Sequence, residues 1–242
     1  MTLQEHTTLP STNSYCELLD LDKVEEFTVI WAHEQTDGIG QRGNHWVCEK
    51  NKNLTFSLIL KPTFLPSADQ FMLTKTLSLG VCDMLTQALP SHKVHIKWPN
   101  DIYVDGNKIC GILTSNKVLN NRLSVAICGI GINVNQLQFP EWVPNPTSFS
   151  LLTRQAHELR PLLNNVVAKI AERYRQLERH EWTTIDHDYL KCLLHYRTVA
   201  RYKYHGEDIE ATITGVNRFG HLQLALQNGE KISCDMKEIA LL

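Results

Sequence analysis

The sequence has no long apolar stretch. A helix that crosses a bilayer needs roughly 20 apolar residues in succession. The longest runs, Asn53–Leu60 and Leu123–Val134, are far shorter or are broken by glycine. The chain opens with no basic segment leading into an apolar run, so no secretory signal is expected. There is little net charge: 24 Lys+Arg stand against 26 Asp+Glu, giving −2. That balance offers no general attraction for nucleic acid. No internal repeat or low-complexity tract is visible. The seven cysteines, Cys16, Cys48, Cys82, Cys110, Cys128, Cys192 and Cys234, are odd in number and scattered, mostly within apolar runs. Free thiols in a reducing cytoplasm explain that pattern better than a disulfide framework. The eleven histidines show no metal-ligand spacing. His187 between Asp186 and Asp188 is the nearest approach to a metal site, and a solvated helix start accounts for it better.

What is present suits a globular chain. In 242 residues, 43% are hydrophobic, enough for one sizeable core and a small appendage. Residues 1–10 read as a tail or an edge strand. Ser11–Ser14 then caps a short helix. Phe27–His33 and Asn53–Lys61 read as strands around a long loop at 34–52. Ser67–Gln70 has the pattern of a capping box, and Leu73, Leu77, Val81 and Leu85 form a helical stripe behind it. A strand at Lys93–Trp98 is cut by Pro99. Asp105-Gly106 and Asn120-Asn121 mark two hairpins. Residues 136–160 read as loop, and a helix is expected from about Pro161 to Glu181. Five short strands from Arg197 to Leu241 suggest a small barrel of SH3 type. That segment holds six basic and six acidic residues, so it too lacks a nucleic-acid signature.

Three segments could carry chemistry. Gly38, Gly40 and Gly43 fall within six residues after a strand, so the backbone can approach a ligand closely. No Gly-Lys-Ser/Thr follows, which excludes a Walker A loop. Lys97 ends an apolar strand at Lys97-Trp-Pro-Asn-Asp101, where an ammonium can point into a cleft and neutralise phosphate. Gly129-Ile-Gly-Ile-Asn-Val134 lacks the spacing of a dinucleotide fingerprint, but its glycines could let a ligand lie flat on the strand. Each of these is weak alone. A flexible loop, a surface lysine and a buried glycine-rich strand explain them as well.

Their order is more specific. Ser11-Thr-Asn-Ser14 is followed by Q-T-x-G-x-G-Q-R-G-N-x-W from Gln35 to Trp46 and by N-L-T-F-S-L from Asn53. Then come K-W-P-N-D, K-x-x-G-I-L at Lys108–Leu113, and G-I-G-I-N-V. From about Ser11 onward this sequence resembles the biotin protein ligases. The resemblance implies an α+β fold: a class II synthetase-like mixed β-sheet packed on helices, over residues 1–190, with an SH3-like barrel over 191–242. It implies a ligase that makes biotinyl-5′-adenylate from biotin and ATP, with Mg²⁺ accompanying the nucleotide, and transfers biotin to a carrier-protein lysine. The partner is then the biotin carboxyl carrier protein of acetyl-CoA carboxylase, in the cytoplasm, with no nucleic acid and no membrane. A homodimer through sheet edges stays open. With motifs starting at Ser11, no N-terminal DNA-binding domain is expected, so the protein should be a ligase and not a repressor.

The resemblance also implies site residues. Ser11, Thr12, Asn13 and Gln35 would bind the ureido ring. Gly38, Ile39, Gly40, Gln41 and Gly111 would line the biotin channel. Trp46, Lys108 and Asn133 would hold the adenylate. Lys97 would neutralise the α-phosphate, with Arg42 as a second catalytic cation. No protein metal ligand is expected. The chain departs from the family loop G-R-G-R-x-G-R-x-W by placing Ile39, Gln41 and Asn44 where arginines usually stand. At Ile39 the usual arginine is expected to touch both biotin and phosphate. Loss of such a charge-assisted hydrogen bond costs about 1.5–3 kcal/mol, so weaker retention of the adenylate is expected. Two alternatives share the resemblance: a lipoate or octanoate ligase or transferase of this fold, and a non-catalytic biotin-binding protein.

Overall fold

Strand periodicity decides which side of the main sheet can become a site. The computed structural model describes residues 2–242, apart from the side chain of Arg42. Seven strands form one sheet: β1 (Thr2–His6), β2 (Thr28–Ala32), β3 (Leu54–Leu60), β4 (Val94–Lys97), β5 (Asp101–Val104), β6 (Asn107–Leu119) and β7 (Arg122–Ile132). Their order is β1-β2-β3-β7-β6-β5-β4. β1 runs parallel to β2, and every other pair is antiparallel, so the sheet is mixed as expected.

Successive side chains point to opposite faces of a strand. Phe56 and Leu58 of β3, Cys128 and Ile130 of β7 and Ile102 of β5 join one large apolar cluster. The helices α2 (Phe71–Ala88) and α4 (Leu159–Glu178) complete it with Leu73, Leu77, Leu85, Leu163, Val167 and Ile170. A Cβ on Gly80 would stand 2.7 Å from the Ile170 backbone, so glycine permits the close α2–α4 crossing. The alternate positions, such as Ile59, Val125 and Ile127, face a smaller cluster with Cys16 of α1 (Thr12–Glu17) and Leu21. Ser57, Gly111, Gly129, Gly131 and Lys97 share the periodicity of that second face.

Both hairpin turns take the positive φ that a type I′ turn needs: 49° and 82° at Asp105 and Gly106, and 51° and 60° at Asn120 and Asn121. The glycine-rich segment 129–132 continues β7 as a strand.

Other expectations need correction. No capping box forms at 67–70. Ser67–Asp69 is a 3₁₀ turn, and α2 starts at Phe71 with no side-chain cap. Asp69 instead receives Arg218 at 2.5 and 2.7 Å, and Gln70 accepts from Asn116 at 3.1 Å. A short helix, α3 (Phe149–Thr153), interrupts the expected loop, capped by Ser148. The helix expected from about Pro161 to Glu181 forms as α4 and ends at Glu178, and α5 (Trp182–Cys192) follows after His180 turns to φ 57°. His187 therefore lies within α5 and not at a helix start. Its neighbours hold other helices: Asp186 meets Lys75 at 2.5 Å and Asp188 meets Arg173 at 2.6 Å.

The last five expected strands all form: β8 (Val199–Tyr204), β9 (Glu207–Val216), β10 (Leu222–Leu226), β11 (Lys231–Cys234) and β12 (Ile239–Leu241). They make an antiparallel sheet in the order β11-β10-β9-β8-β12, whose two end strands are not paired with each other among the described residues. Tyr202, Ile213, Leu222 and Ile239 join the large core cluster, so the small sheet is fused to the body of the molecule. All seven cysteines are free. No helix among the described residues is long and apolar enough to cross a membrane.

Candidate functional site

The second face of the main sheet, α1, the 34–52 loop and the small sheet enclose a cavity of about 320 Å³. One end is polar and buried. Ser11 caps α1, with its Oγ accepting from Ser14 N at 3.5 Å; the hydroxyl proton stays free to donate. Gln35 Oε1 accepts from Thr12 N at 2.7 Å and lies 3.1 Å from Thr12 Oγ1. Ser57 Oγ lies 2.6 Å from Asn13 Oδ1 and 2.7 Å from Thr12 Oγ1. A hydroxyl carries one proton, and Asn13 Oδ1 can only accept. Ser57 therefore donates to Asn13, and Thr12 divides its own proton between Ser57 and Gln35. Asn13 Nδ2 donates to Leu113 O at 3.3 Å. The result is a fixed row of alternating donors and acceptors, suited to a small planar polar ring.

The floor is glycine for a steric reason. Ser57 and Gly129 are partners across β3 and β7. A Cβ at Gly129 would stand 2.4 Å from Asn13 Oδ1. Gly111 and Gly131 are partners across β6 and β7, and the Trp46 indole lies on both. A Cβ would stand 3.0 Å from its Cζ3 at Gly111 and 2.3 Å from its Cε2 at Gly131. The Trp46 Nε1 is buried without a hydrogen-bond partner.

At the other end Lys97 closes β4, its Nζ 5.4 Å from the Tyr103 ring centre. Burial, reinforced by the charge of Asp101, pushes the Tyr103 hydroxyl up to about 12, so it stays a neutral phenol. Lys108 is paired with Asp101 at 2.7 Å. The loop is held down by Gln41, whose Nε2 donates to Asn100 Oδ1 at 3.0 Å. Within the loop, Gly40 N donates to Asn44 O at 2.7 Å and Trp46 N to Gly38 O at 2.8 Å. This cavity has a hydrogen-bonding end, an apolar middle and a cationic end.

Residues 5–133 match the family described as Biotin/lipoate A/B protein ligase family. The chain belongs to that family. It is 31% identical over 183 residues to the Bifunctional ligase/repressor BirA of Bacillus subtilis, covering 74% of this chain and 56% of that protein. It is 33% identical over 108 residues to the Biotin–[acetyl-CoA-carboxylase] ligase of Paracoccus denitrificans, covering 43% of each. The chain thus spans about half the length of these curated relatives. The biotin protein ligase of Aquifex aeolicus, solved in complex with biotin and ATP, superposes with a TM-score of 0.82 at 23% identity, over 100% of this chain and 98% of that one. That likeness shows the shared fold.

Most of the expected site of this biotin/lipoate ligase family chain comes together. Ser11, Thr12, Asn13, Gln35, Gly40 and Gln41 line the cavity, as do Trp46, Lys97, Lys108 and Gly111. Ile39 lines it too, but is 44% exposed; Gln41 is the loop position that reaches the Lys97 turn. Gly38 is set back behind the Trp46 backbone. Asn133 is not in the cavity wall: it is buried, and its Nδ2 donates to Thr147 O at 3.0 Å. The side chain of Arg42 lies outside the described residues.

Several wall residues were not foreseen. Phe56 is one of them; its neighbour Ser57 is fully buried behind the wall, and although the N-L-T-F-S-L motif contains it, only the fold shows it supporting Thr12 and Asn13. Tyr202, Ile213, Leu222 and Ile239 come from the small sheet; in sequence they read only as that sheet's own core. The family fold implies Mg²⁺ with the nucleotide. Among the described residues no group of three or more His, Cys, Asp or Glu could hold a metal. Asp101, the acid in the cavity wall, is taken by Lys108. These side chains do not form a magnesium site, and no chemical step is routed through one below.

Proposed function

We propose that this chain is a biotin–protein ligase. It joins biotin to ATP as biotinyl-5′-adenylate, releases pyrophosphate, and passes the biotinyl group to a lysine of a biotin carboxyl carrier protein. The observation that carries this reading is one cavity joining the row Ser11, Thr12, Asn13 and Gln35, braced from behind by Ser57, to Lys97, across a floor of Gly129, Gly131 and Gly111. The row offers donors and acceptors for a ureido ring. The indole of Trp46, packed on Gly111 and Gly131, supplies the apolar wall beside an aliphatic tail. The tail's carboxylate then arrives near Lys97.

The first step brings a carboxylate to a phosphate, two anions. A cation already fixed beside the developing charge lowers that barrier without reorganisation in the transition state. Lys97 has that role, with Lys108 behind it, screened by Asp101. Arg42 is assigned as a second catalytic cation on the resemblance alone. In the second step the carrier lysine, once neutral, attacks the mixed anhydride and AMP leaves. The ring Gly40–Asn44 and the Gln41–Asn100 bond hold the loop over the site, which excludes water from the anhydride. Residues 1–190 supply the chemistry in this reading, and residues 191–242 close the cavity. Mg²⁺ would be carried by ATP's own phosphates. The free cysteines suit a cytoplasmic enzyme, acting as a monomer or a homodimer.

Biotin-dependent exchange of labelled pyrophosphate into ATP tests the reading. Exchange in the wild type, lowered about a hundredfold or more but still measurable in Lys97→Ala, is expected. Measurable biotin binding without exchange would favour the non-catalytic reading, and exchange with lipoate in place of biotin would favour the lipoate one. Full activity in Lys97→Ala would overturn the role of that lysine.

A further inference from the structure

The turn that follows Lys97 is held almost wholly by side chains. Pro99 has no N–H to donate, and Trp98, Pro99 and Asn100 lie between β4 and β5, outside the strand ladder. Four bonds tie them to four other parts of the molecule. Trp98 Nε1 donates to Gly220 O at 3.0 Å, from the turn between β9 and β10. Tyr189 Oη of α5 donates to Pro99 O at 2.6 Å. Asn100 Nδ2 donates to Ile112 O at 2.8 Å, and Asn100 Oδ1 accepts from Gln41 at 3.0 Å.

Tyr189 is itself fixed. It is fully buried and packs edge-on against Phe71 with centroids 6.0 Å apart. Lys75 Nζ lies 5.6 Å from its ring centre and is paired with Asp186. Burial keeps the phenol protonated far above neutral pH, and a carbonyl oxygen can only accept, so the polarity of the bond cannot reverse. Tyr189 is absent from the cavity wall, whereas Lys97, Trp98 and Pro99 belong to it. Its hydroxyl therefore meets the turn from the side away from the substrate.

We propose that Tyr189 is a positioning residue for Lys97: its hydroxyl bond to Pro99 O, with Trp98–Gly220 as a second anchor, fixes the turn that aims the ammonium at the reacting phosphate. This rests on the ligase reading above. A loose anchor lets the strand end drift, and small misplacements of a catalytic group are costly even when substrate still binds.

Tyr189→Phe removes one oxygen and keeps the ring. In the pyrophosphate-exchange assay its kcat should fall about tenfold while KM for biotin changes less than about twofold, because the biotin row is untouched. In a Lys97→Ala background the same change should cost less than about a further twofold, since a group acting through Lys97 has nothing left to aim. A kcat unchanged in Tyr189→Phe would overturn the proposal. So would losses that multiply in the double variant, as a merely structural tyrosine would give. Should Tyr189→Phe fail to fold, Trp98→Phe removes the other anchor and must show the same kcat loss, silent behind Lys97→Ala. No exchange in the wild type would instead overturn the ligase reading itself.

Discussion

Replacing Gly129 by alanine separates the site from the scaffold. The new Cβ would stand 2.4 Å from Asn13 Oδ1 and 2.8 Å from both Cγ and Nδ2 of the same amide. Real Cβ atoms do not come so close, so the amide must move. Gly129 lies in a regular strand opposite Ser57, and alanine suits a strand better than glycine by about 0.5–1 kcal/mol. Against that gain, Asn13 loses its bond to Ser57 at 2.6 Å and its longer one to Leu113 O at 3.3 Å. Each lost bond is worth about 1 kcal/mol, so the net loss of stability is about 1 kcal/mol. In a chain of this size that lowers Tm by roughly 2–4 °C. Binding suffers more. A ring read by Asn13 meets a displaced partner and an unpaired polar group, a loss of about 2–3 kcal/mol, or roughly 30- to 150-fold in Kd. Titration calorimetry with biotin and differential scanning calorimetry measure the two effects. Gly215→Ala is the control, since a Cβ there meets nothing within 4 Å. A Kd within about threefold of wild type, beside a lowered Tm, would refute the placement of Asn13 in the ligand row.

Two further predictions concern charge. Ile39 lines the cavity at the position where the family resemblance implies an arginine, so Ile39→Arg should slow escape of the adenylate; an unchanged release rate in a stopped-flow chase would count against it. Lys75 is almost fully buried and Asp186 is half exposed, so the two halves of that pair should differ. Asp186→Ala leaves a buried ammonium unpaired and should cost about 3–5 kcal/mol in urea unfolding, whereas Lys75→Met should stay within about 1 kcal/mol.

The sequence disclosed the elements whose signals are local. The Asp105-Gly106 and Asn120-Asn121 turns announce positive φ by residue type, and Ser11 announces a helix start. The row Ser11–Asn13 and the Lys97 turn were legible as motifs. What stayed hidden depends on distant partners. Ser67 and Gln70 have the spacing of a capping box, but Gln70 answers Asn116, and Asp69 between them answers Arg218, 149 residues away. The end of α4 was expected within a few residues, but the position of the turn at His180 and the start of α5 at Trp182 were not. Ser57 stands in the N-L-T-F-S-L motif, but its bonds to Thr12 and Asn13 are seen only in the fold, and Tyr189 reads as an ordinary core aromatic until its hydroxyl is seen on Pro99 O.

The pairing of Ser57 with Gly129 and of Gly111 with Gly131 places the ligand floor in the three central strands of the large sheet. Such strands exchange their amide hydrogens only when the whole molecule opens, while a loop held by a few bonds opens alone. The floor and its rim therefore live on different clocks. The rim over residues 34–52 can admit and release small molecules many times in the lifetime of a floor amide. A ligand resting across both would slow exchange in the rim long before it changed anything beneath it.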